Sequence, residues 1–233
     1  RGSVSMKEWT VSLGEKDYPA RELTTSNMEQ ILALQSVVLQ HLENKEFLQP
    51  LTREEFEDSL KHRLMVGVFA GEELIAFRTL AIPVMDEHHL GYDIGLSESE
   101  LGDVVYQEIT NVHPEYRGYG LQRKLADLVM ELLQDSPYIY ICATVAPFNF
   151  ASLKDKLSQG MVIKALKRKY DNMLRYIFCK RLDGNAYIVF GENQMNIKMS
   201  DIEEQQKLLK AGWVGTNILQ KEEEWYVVYK ETI

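Results

Sequence analysis

Two glycines and an arginine lie together in the stretch VHPEYRGYGLQ, between a β-rich run and an apolar run with helical spacing. The first amides of a helix lack internal partners, and together with the helix dipole they attract anions. Gly118 and Gly120 would let a phosphate approach the backbone closely, and Arg117 adds a fixed positive charge. The stretch therefore predicts a site for a phosphate-bearing ligand such as a pyrophosphate. The alternative is a helix start with flexible glycines and no ligand.

Two common phosphate motifs do not fit this stretch. A P-loop requires G-x-x-x-x-G-K-S/T, which the chain lacks, and a dinucleotide-binding turn requires a third glycine where Arg123 stands. The phosphate prediction therefore depends on the elements around the glycines.

Those elements alternate between strands and helices. DVVYQEITNV is strand-like, and apolar residues at helical spacing after it predict a helix from Leu121. YIYICATV predicts a buried strand, NFASLKDKLSQG a helix that ends at Gly160, and MVIKALKRKY with MLRYIFCKRL two strands joined at Asp171-Asn172. The predicted class is α/β or α+β with a mixed sheet.

The flanking segments carry further helix and strand signals. Before the central unit we predict helices with capping boxes at Ser26/Glu29 and Thr52/Glu55, a hairpin at Gly71-Glu72, and a solvated loop over MDEHHLGYDIGLSESELG. After it, we predict a strand at AYIVF, a helix in SDIEEQQKLLKAG capped by Ser200 and Glu203, and a strand at EWYVVYK. The adjacent histidines of the loop have no metal-ligand spacing, and no metal is predicted.

Composition limits the partners and the location. The 233 residues have a net charge of −9, which argues against nucleic acid as a partner because phosphate backbones need a basic surface. Cys142 and Cys179 do not form a disulfide framework and are predicted to be buried thiols in a reducing cytoplasm. No apolar stretch reaches the roughly 18–20 residues of a membrane span. Residues 1–5, RGSVS, precede Met6 and are interpreted as a cloning remnant.

The glycine stretch resembles motif A of the GNAT acetyltransferase superfamily, Q/R-x-x-G-x-G/A. Arg117 and Gly120 match its first two positions, and Gln122 replaces the final small residue. The segment ATVAPFNFASLKDKLSQGM is similar to a second GNAT segment, with Asn149, Ser152 and Gly160 in place and Met161 where an aromatic is usual. The order of elements from about residue 7 to residue 182 is also typical of the GNAT fold.

This resemblance implies a fold and a co-substrate. The fold would have a mixed central sheet with two splayed parallel strands, flanked by helices. Acetyl-CoA would be the acetyl donor, without a metal. The main chain at Thr110, Asn111 and Val112 would hold its pantetheine arm, and the amides of Arg117, Gly118, Tyr119, Gly120, Leu121 and Gln122 its pyrophosphate. Asn149 would complete the cofactor site.

The resemblance also implies candidates for catalysis. Glu108 is the candidate base because it lies in an otherwise apolar strand just before the loop; the alternative is an ordinary surface or salt-bridged glutamate. Tyr106 would share its face, and Tyr170 would border the acceptor site or cover the edge of the core. Lys156 occupies the place of the tyrosine that protonates the leaving thiolate in many GNAT enzymes, and a solvated lysine is expected there.

These inferences predict a GNAT domain over residues 6–182 and a small α/β extension over residues 183–233, packed on the core or acting as a dimerisation arm. The predicted function is transfer of an acetyl group from acetyl-CoA to a primary amine of a small molecule or peptide, in the cytoplasm. If residues 183–233 act as a dimerisation arm, the protein would be a homodimer. A catalytically inactive CoA-binding module is the alternative, and an acyltransferase that uses longer acyl groups is a third reading.

Overall fold

The computed structural model describes residues 4–233, so the first three residues of RGSVS, the segment interpreted as a cloning remnant, lie outside the described residues. The strands, in chain order, are β1 (Glu8–Leu13), β2 (Lys16–Glu22), β3 (Met65–Ala70), β4 (Glu73–Ala81), β5 (Val104–Val112), β6 (Tyr140–Val145), β7 (Val162–Lys169), β8 (Met173–Arg181), β9 (Phe190–Lys198), β10 (Val214–Lys221) and β11 (Glu224–Thr232). The helices are α1 (Met28–Gln40), α2 (Arg53–Lys61), α3 (Leu90–Asp93), α4 (Leu121–Leu133), α5 (Phe150–Ser158) and α6 (Ile202–Lys210).

The chain divides into two compact units, and β5 contributes to both. The first unit comprises residues 4–82 and Gln107–Ser136, and the second comprises Pro83–Tyr106 and Pro137–Ile233. This division differs from the predicted boundary at residue 182, which stays a prediction.

In the first unit, the strand order is β1-β2-β3-β4-β5, and the ladders that join β1 to β4 are antiparallel. Phe77 of β4 packs edge-on against Phe56 of α2, with ring centroids 5.7 Å apart, in a core shared with α1. The next residue, Arg78, reaches α4 instead. Because successive residues of a strand point to opposite faces, α2 and α4 cover opposite sides of β4.

In the second unit, the strand order is β5-β6-β8-β7-β10-β11-β9. β5 and β6 are parallel through three residue pairs, Val104–Tyr140, Val105–Ile141 and Tyr106–Cys142, whereas the other ladders are antiparallel. The predicted mixed sheet is therefore confirmed. Cys142 and Cys179, predicted to be buried, are both fully buried and stand directly opposite each other in the β6–β8 ladder.

The central elements agree with the sequence prediction, as does one helix cap. Thr52 and Glu55 form the predicted capping box: Glu55 N donates to Thr52 Oγ1 at 3.2 Å, and Thr52 N donates to Glu55 Oε2 at 2.7 Å. The hairpin at Gly71 and the helix stop at Gly160 are also present, both glycines having a positive φ.

Two predicted helix caps and one predicted strand are wrong. Before α1, Thr24 N donates to Asn27 Oδ1 at 3.0 Å, so the cap does not involve Ser26 and Glu29. Helix α6 is capped by Asp201, which accepts from Glu204 N at 3.1 Å, one residue later than predicted. AYIVF is not a strand over most of its length, because β9 begins at its last residue.

The predicted solvated loop is also largely wrong. It contains α3 and a 3₁₀ turn at Glu98–Asp103, and His89 is buried, accepting a hydrogen bond from Gly91 N at 2.9 Å. Asp93, with a nearly inaccessible side chain, forms ion pairs with Lys167 and Lys169 of β7. A buried carboxylate requires such partners, so this segment is fixed on the second unit.

The C-terminal segment shares a buried polar network with β8. Gln205 of α6 is fully buried, and its Oε1 accepts from the hydroxyls of Tyr176 at 2.6 Å and Tyr229 at 2.9 Å. Its Nε2 donates to Met199 O at 2.9 Å. One side chain therefore satisfies two buried phenols and a carbonyl.

We expect Gln205→Leu to lower the free energy of unfolding by about 2–4 kcal/mol, because it leaves two buried hydroxyls without an acceptor. Urea unfolding measures this effect. The matched control is Gln206→Leu at the exposed neighbouring position, which loses one hydrogen bond to Leu166 O and should cost about 1 kcal/mol or less. Equal losses for the two variants would contradict a structural role for the network.

Candidate functional site

The glycine loop is fixed at its start by main-chain bonds. His113 N donates to Ile75 O of β4 at 2.8 Å, and His113 Nδ1 accepts from Glu115 N at 3.2 Å to begin a 3₁₀ turn at Pro114–Tyr116. Arg117 follows in an extended conformation and is exposed. The chain then enters α4 through two left-handed residues, Gly118 at φ +84° and Gly120 at φ +77°. Both positions favour glycine because a side chain disfavours this conformation.

The loop presents a row of unused backbone donors. The first main-chain bond of α4 is Lys124 N to Gly120 O at 3.1 Å. From Gly118 to Gln122, five successive amides donate to no acceptor within residues 4–233. Helix α4 has thirteen residues, so its dipole adds positive potential at the same end. The predicted anion-binding geometry is present.

A buried arginine supports this helix end. Arg78 is fully buried in β4, and its Nη2 donates to Gln122 O, in the first turn of α4, at 3.2 Å. A buried guanidinium is costly unless it is well paired, and here it places a permanent positive charge at the end of the helix that attracts anions. The sequence analysis did not identify Arg78, although a charged residue within the apolar run LIAFRTLA was a signal for it.

Glu108 lies on the part of β5 that belongs to the first unit. It is partly accessible to solvent, whereas its neighbours Gln107 and Ile109 are buried. Burial among protein atoms raises the pKa of Glu108 to about 7, and the negative charge of Glu55 adds to the effect. A carboxyl with this pKa exchanges protons near neutral pH, which suits a general base better than a surface ion pair.

Asn111 is fully buried at the far end of β5, next to the partly buried Thr110 and Val112. Neither polar atom of its side-chain amide has a hydrogen-bond partner in the part of the chain that the structure describes. Unpartnered buried amides are rare in folded proteins and require an explanation. Thr110, Asn111 and Val112 therefore occupy a polar, incompletely satisfied end of the strand that leads into the loop.

The other predicted cofactor residue, Asn149, belongs to the second unit. It is buried at the N-terminus of α5, where its Oδ1 accepts from Ser152 N at a long 3.4 Å. It thus caps α5 and ends the loop that follows β6.

The predicted acceptor residues, Tyr106 and Tyr170, also belong to the second unit. Tyr106 accepts a hydrogen bond from Leu90 N at 2.7 Å and packs against the His89 ring, which holds the α3 segment. Tyr170 is 44% exposed and has a φ of +43° in the turn between β7 and β8, and its hydroxyl lies 3.3 Å from Thr144 Oγ1. An aromatic residue in the left-handed region is strained, and such strain is found at functional sites.

The expectation of a solvated Lys156 is wrong. Lys156 is 5% exposed, and its Nζ pairs with Asp155 Oδ2 at 2.9 Å, with both side chains buried. The sequence pattern of α5 did not indicate this pair, because charged residues in an amphipathic helix are expected to face solvent.

Among residues 4–233, no group of three or more histidine, cysteine or acidic side chains has an arrangement that could hold a metal ion. Over the same residues, no helix has the length and apolarity required to cross a membrane.

No protein-family model and no curated protein matches the chain. Solved structures share its fold. A GNAT-family acetyltransferase from Listeria monocytogenes is 13% identical with a TM-score of 0.56, the match covering 74% of this chain and 99% of that one. A Salmonella typhimurium protein solved with its cofactor acetyl-CoA is 16% identical with a TM-score of 0.54, and the match covers 74% of this chain and 98% of that one. Arabidopsis thaliana NAA60, solved with a bisubstrate analogue, is 15% identical with a TM-score of 0.54, and the match covers 71% of this chain and 98% of that one. The chain therefore has the GNAT fold that its motifs predicted.

We expect Glu108→Gln to stabilise the protein at pH 8.5 but not at pH 4. A carboxyl whose pKa rises on folding holds its proton longer in the folded state, so its ionisation costs stability as the pH rises from about 4.5 through about 7. Glutamine removes that cost, and the expected gain at pH 8.5 is about 1–3 kcal/mol. Urea unfolding at both pH values measures it, with Glu115→Gln on the exposed part of the loop as the control. An equal effect of Glu108→Gln at both pH values would show that the carboxyl is not perturbed by folding.

Proposed function

We propose that this protein is an acetyl-CoA-dependent N-acetyltransferase that transfers the acetyl group to a primary amine by direct attack. The observation that carries the proposal is the run of five unused amides at the start of α4, beside Arg78 and Arg117, in a chain with the GNAT fold. The site chemistry fits a diphosphate, which needs several backbone donors and fixed positive charge.

Different residues of the first unit bind different parts of acetyl-CoA. The amides from Gly118 to Gln122 and the Arg117 side chain hold the pyrophosphate, and the main chain of Thr110, Asn111 and Val112 holds the pantetheine arm. Gln122 adds a side chain where the motif has a small residue, and its carbonyl is fixed by Arg78. Asn149, at the start of α5, is a further proposed cofactor-binding residue on the basis of the motif resemblance.

Glu108 takes the proton of the amine. An amine attacks the thioester carbonyl only when it is neutral, so a base must remove its proton before or during attack. With a pKa of about 7, Glu108 is substantially ionised at neutral pH and also binds a proton readily. The amine nitrogen forms the bond to the acetyl carbon, the bond from that carbon to sulfur breaks, and the thiolate leaves.

A second candidate function is a CoA-binding module without catalysis. The specific observation in its favour is Lys156, which stands where many GNAT enzymes have a tyrosine near the leaving thiolate and which is buried in a pair with Asp155. A thiol reagent that reports free CoA in the presence of a panel of primary amines and amine-bearing peptides separates the two functions. Release of CoA that depends on the amine supports the transferase, and binding of acetyl-CoA without release supports the module.

The acceptor is proposed only as a primary amine of a small molecule or peptide. Tyr170 is the proposed acceptor-side residue, supported by its exposure and its strained backbone. The cytoplasmic location and the homodimer stay predictions.

Gly120→Asp and Gly120→Asn form a matched pair that tests the phosphate loop. Both residues tolerate a left-handed backbone better than other side chains and have nearly the same size, and nothing lies within 4 Å of the position of an added Cβ. We expect the aspartate variant to lose acetyl-CoA binding by about tenfold or more relative to the asparagine variant, because its charge faces the phosphates. Isothermal calorimetry measures both. Equal affinities of the two variants for acetyl-CoA would show that this loop does not bind the pyrophosphate.

Glu108→Gln should leave acetyl-CoA affinity intact and lower kcat by roughly 10²–10⁴, with the best acceptor of the amine panel. In the wild type, activity should rise with pH through about 7, since the ionised carboxylate is the active form. Glu55→Gln is the companion variant: glutamine also fits the capping box, but the loss of charge should move the pH profile to lower pH. If both variants show the same pH dependence of activity as the wild type, Glu108 has no part in the mechanism.

A further inference from the structure

The loop between β6 and α5, taken together with the first residue of α5, is called here the Asn149 loop (Ala146–Phe150), and it has a strained backbone at its centre. Phe148 has a φ of +67° and is 43% exposed. Within the loop, Asn149 N donates to Ala146 O at 3.2 Å and Phe150 N donates to Phe148 O at 3.0 Å. A phenylalanine in the left-handed region is strained, and this conformation persists only when its surroundings fix it.

The surroundings that fix Phe148 come from the C-terminal segment. Phe148 N donates to the sulfur of Met199 at 3.2 Å, and Met199 is fully buried. Met199 is itself tied to β11, because its amide donates to Trp225 O at 2.9 Å. A residue that follows β9 thus holds the strained backbone that precedes Asn149.

The residue that follows Asn149 is held by the same segment. The Phe150 ring stacks on Trp225, with centroids 4.2 Å apart and an interplanar angle of 26°. Lys154, one turn further along α5, places its Nζ 5.4 Å from the centre of the Trp225 ring. Both neighbours of Asn149 in the chain are therefore fixed by Met199 and Trp225, each from the segment after residue 182.

We infer that the C-terminal segment positions the Asn149 loop for cofactor binding, with Met199 and Trp225 as the positioning residues. The inference rests on the proposed function, since it gives the two residues a task only if Asn149 contacts acetyl-CoA. The inference gives residues 183–233 a role in cofactor binding, although the resemblance to GNAT proteins covers only about residues 7 to 182. The two residues act on the loop through its backbone and Phe150, so they touch no reacting atom.

The expected signature is a change in cofactor affinity with little change in the chemical step. Loss of a stacked aromatic pair costs enough to weaken acetyl-CoA binding by roughly three- to tenfold in Trp225→Ala. Trp225→Phe keeps a ring on Phe150 and should restore most of the affinity. Met199→Leu keeps the apolar volume but removes the sulfur acceptor, and we expect a weaker loss in the same direction. The kcat at saturating acetyl-CoA should stay within about twofold of wild type.

Phe190→Ala is the matched control. Phe190 lies on β9 of the same segment, is 44% exposed, and has Lys230 over its ring, but no contact with the Asn149 loop is seen in residues 4–233. This variant should bind acetyl-CoA as the wild type does. Thermal melts of all four variants measure any general loss of stability.

Calorimetric titration with acetyl-CoA decides the question. Weaker binding by Trp225→Ala and Met199→Leu, with recovery in Trp225→Phe and no effect in Phe190→Ala, supports the inference. Wild-type affinity in both Trp225→Ala and Met199→Leu overturns it, as does an equal loss in Phe190→Ala. If Trp225→Ala does not fold, Met199→Leu alone decides. Failure of the wild type to bind acetyl-CoA would overturn the proposed function first, which separates the two failures.

Discussion

A helix cannot satisfy its own first amides, and the first unit is organised around that constraint at the start of α4. The amides from Gly118 to Gln122 have no acceptor in the described chain, so the protein must hold them in place by other means. Two residues of β4 hold the loop. Ile75 O accepts a hydrogen bond from His113 N before the loop, and Arg78 donates one to Gln122 O at its end. The loop is anchored by hydrogen bonds where it begins and where it enters the helix, while the amides between these points stay available to a ligand.

The same unit contains two groups that are costly to bury, and both costs are consistent with the proposed chemistry. Arg78 puts positive charge at the end of the helix, where it favours an anion. Glu108 is forced towards its neutral form by its surroundings and by Glu55, which makes it a proton acceptor near neutral pH. Each group costs free energy in the folded state, since a charged side chain loses hydration among protein atoms. Arg78 lies on β4 and Glu108 on β5, and the cost of keeping both in one unit favours a functional role over a purely structural one.

The sequence analysis predicted the central elements, whose apolar periodicity is strong, and missed several strands at the margins of the sheet. The helix from Leu121, strand β6 and the glycine loop follow from apolar spacing and two glycines, and the structure has them. Strand β2, with the sequence KDYPARE, contains a proline and four charged residues, and β9 has seven exposed side chains out of nine, so neither shows an apolar alternation. Strands β1 and β10 were not assigned either. These strands exist because their neighbours pair with them.

The candidate site was predictable in part for the same reason. Motif spacing identified the glycine loop and Asn149 as candidates, and a position in the strand before the loop identified Glu108, because these are local features of the sequence. Their roles in binding and catalysis stay predictions. Arg78, the buried Lys156–Asp155 pair and the contacts of Met199 and Trp225 with the Asn149 loop depend on tertiary packing. Local pattern cannot reveal which polar side chains will meet in a core, so the supporting residues emerged only from the structure.

The most direct test of the central claim compares thermal melts of the wild-type protein with acetyl-CoA and with S-acetylpantetheine, which has the same thioester but no pyrophosphate. A ligand at about 100 times its dissociation constant adds about 2.7 kcal/mol to the free energy of unfolding. We expect a rise of several degrees in the melting temperature with acetyl-CoA and little change with S-acetylpantetheine at the same concentration. An equal rise with both ligands, or none with acetyl-CoA at millimolar concentration, would contradict the assignment of the α4 amides to the pyrophosphate.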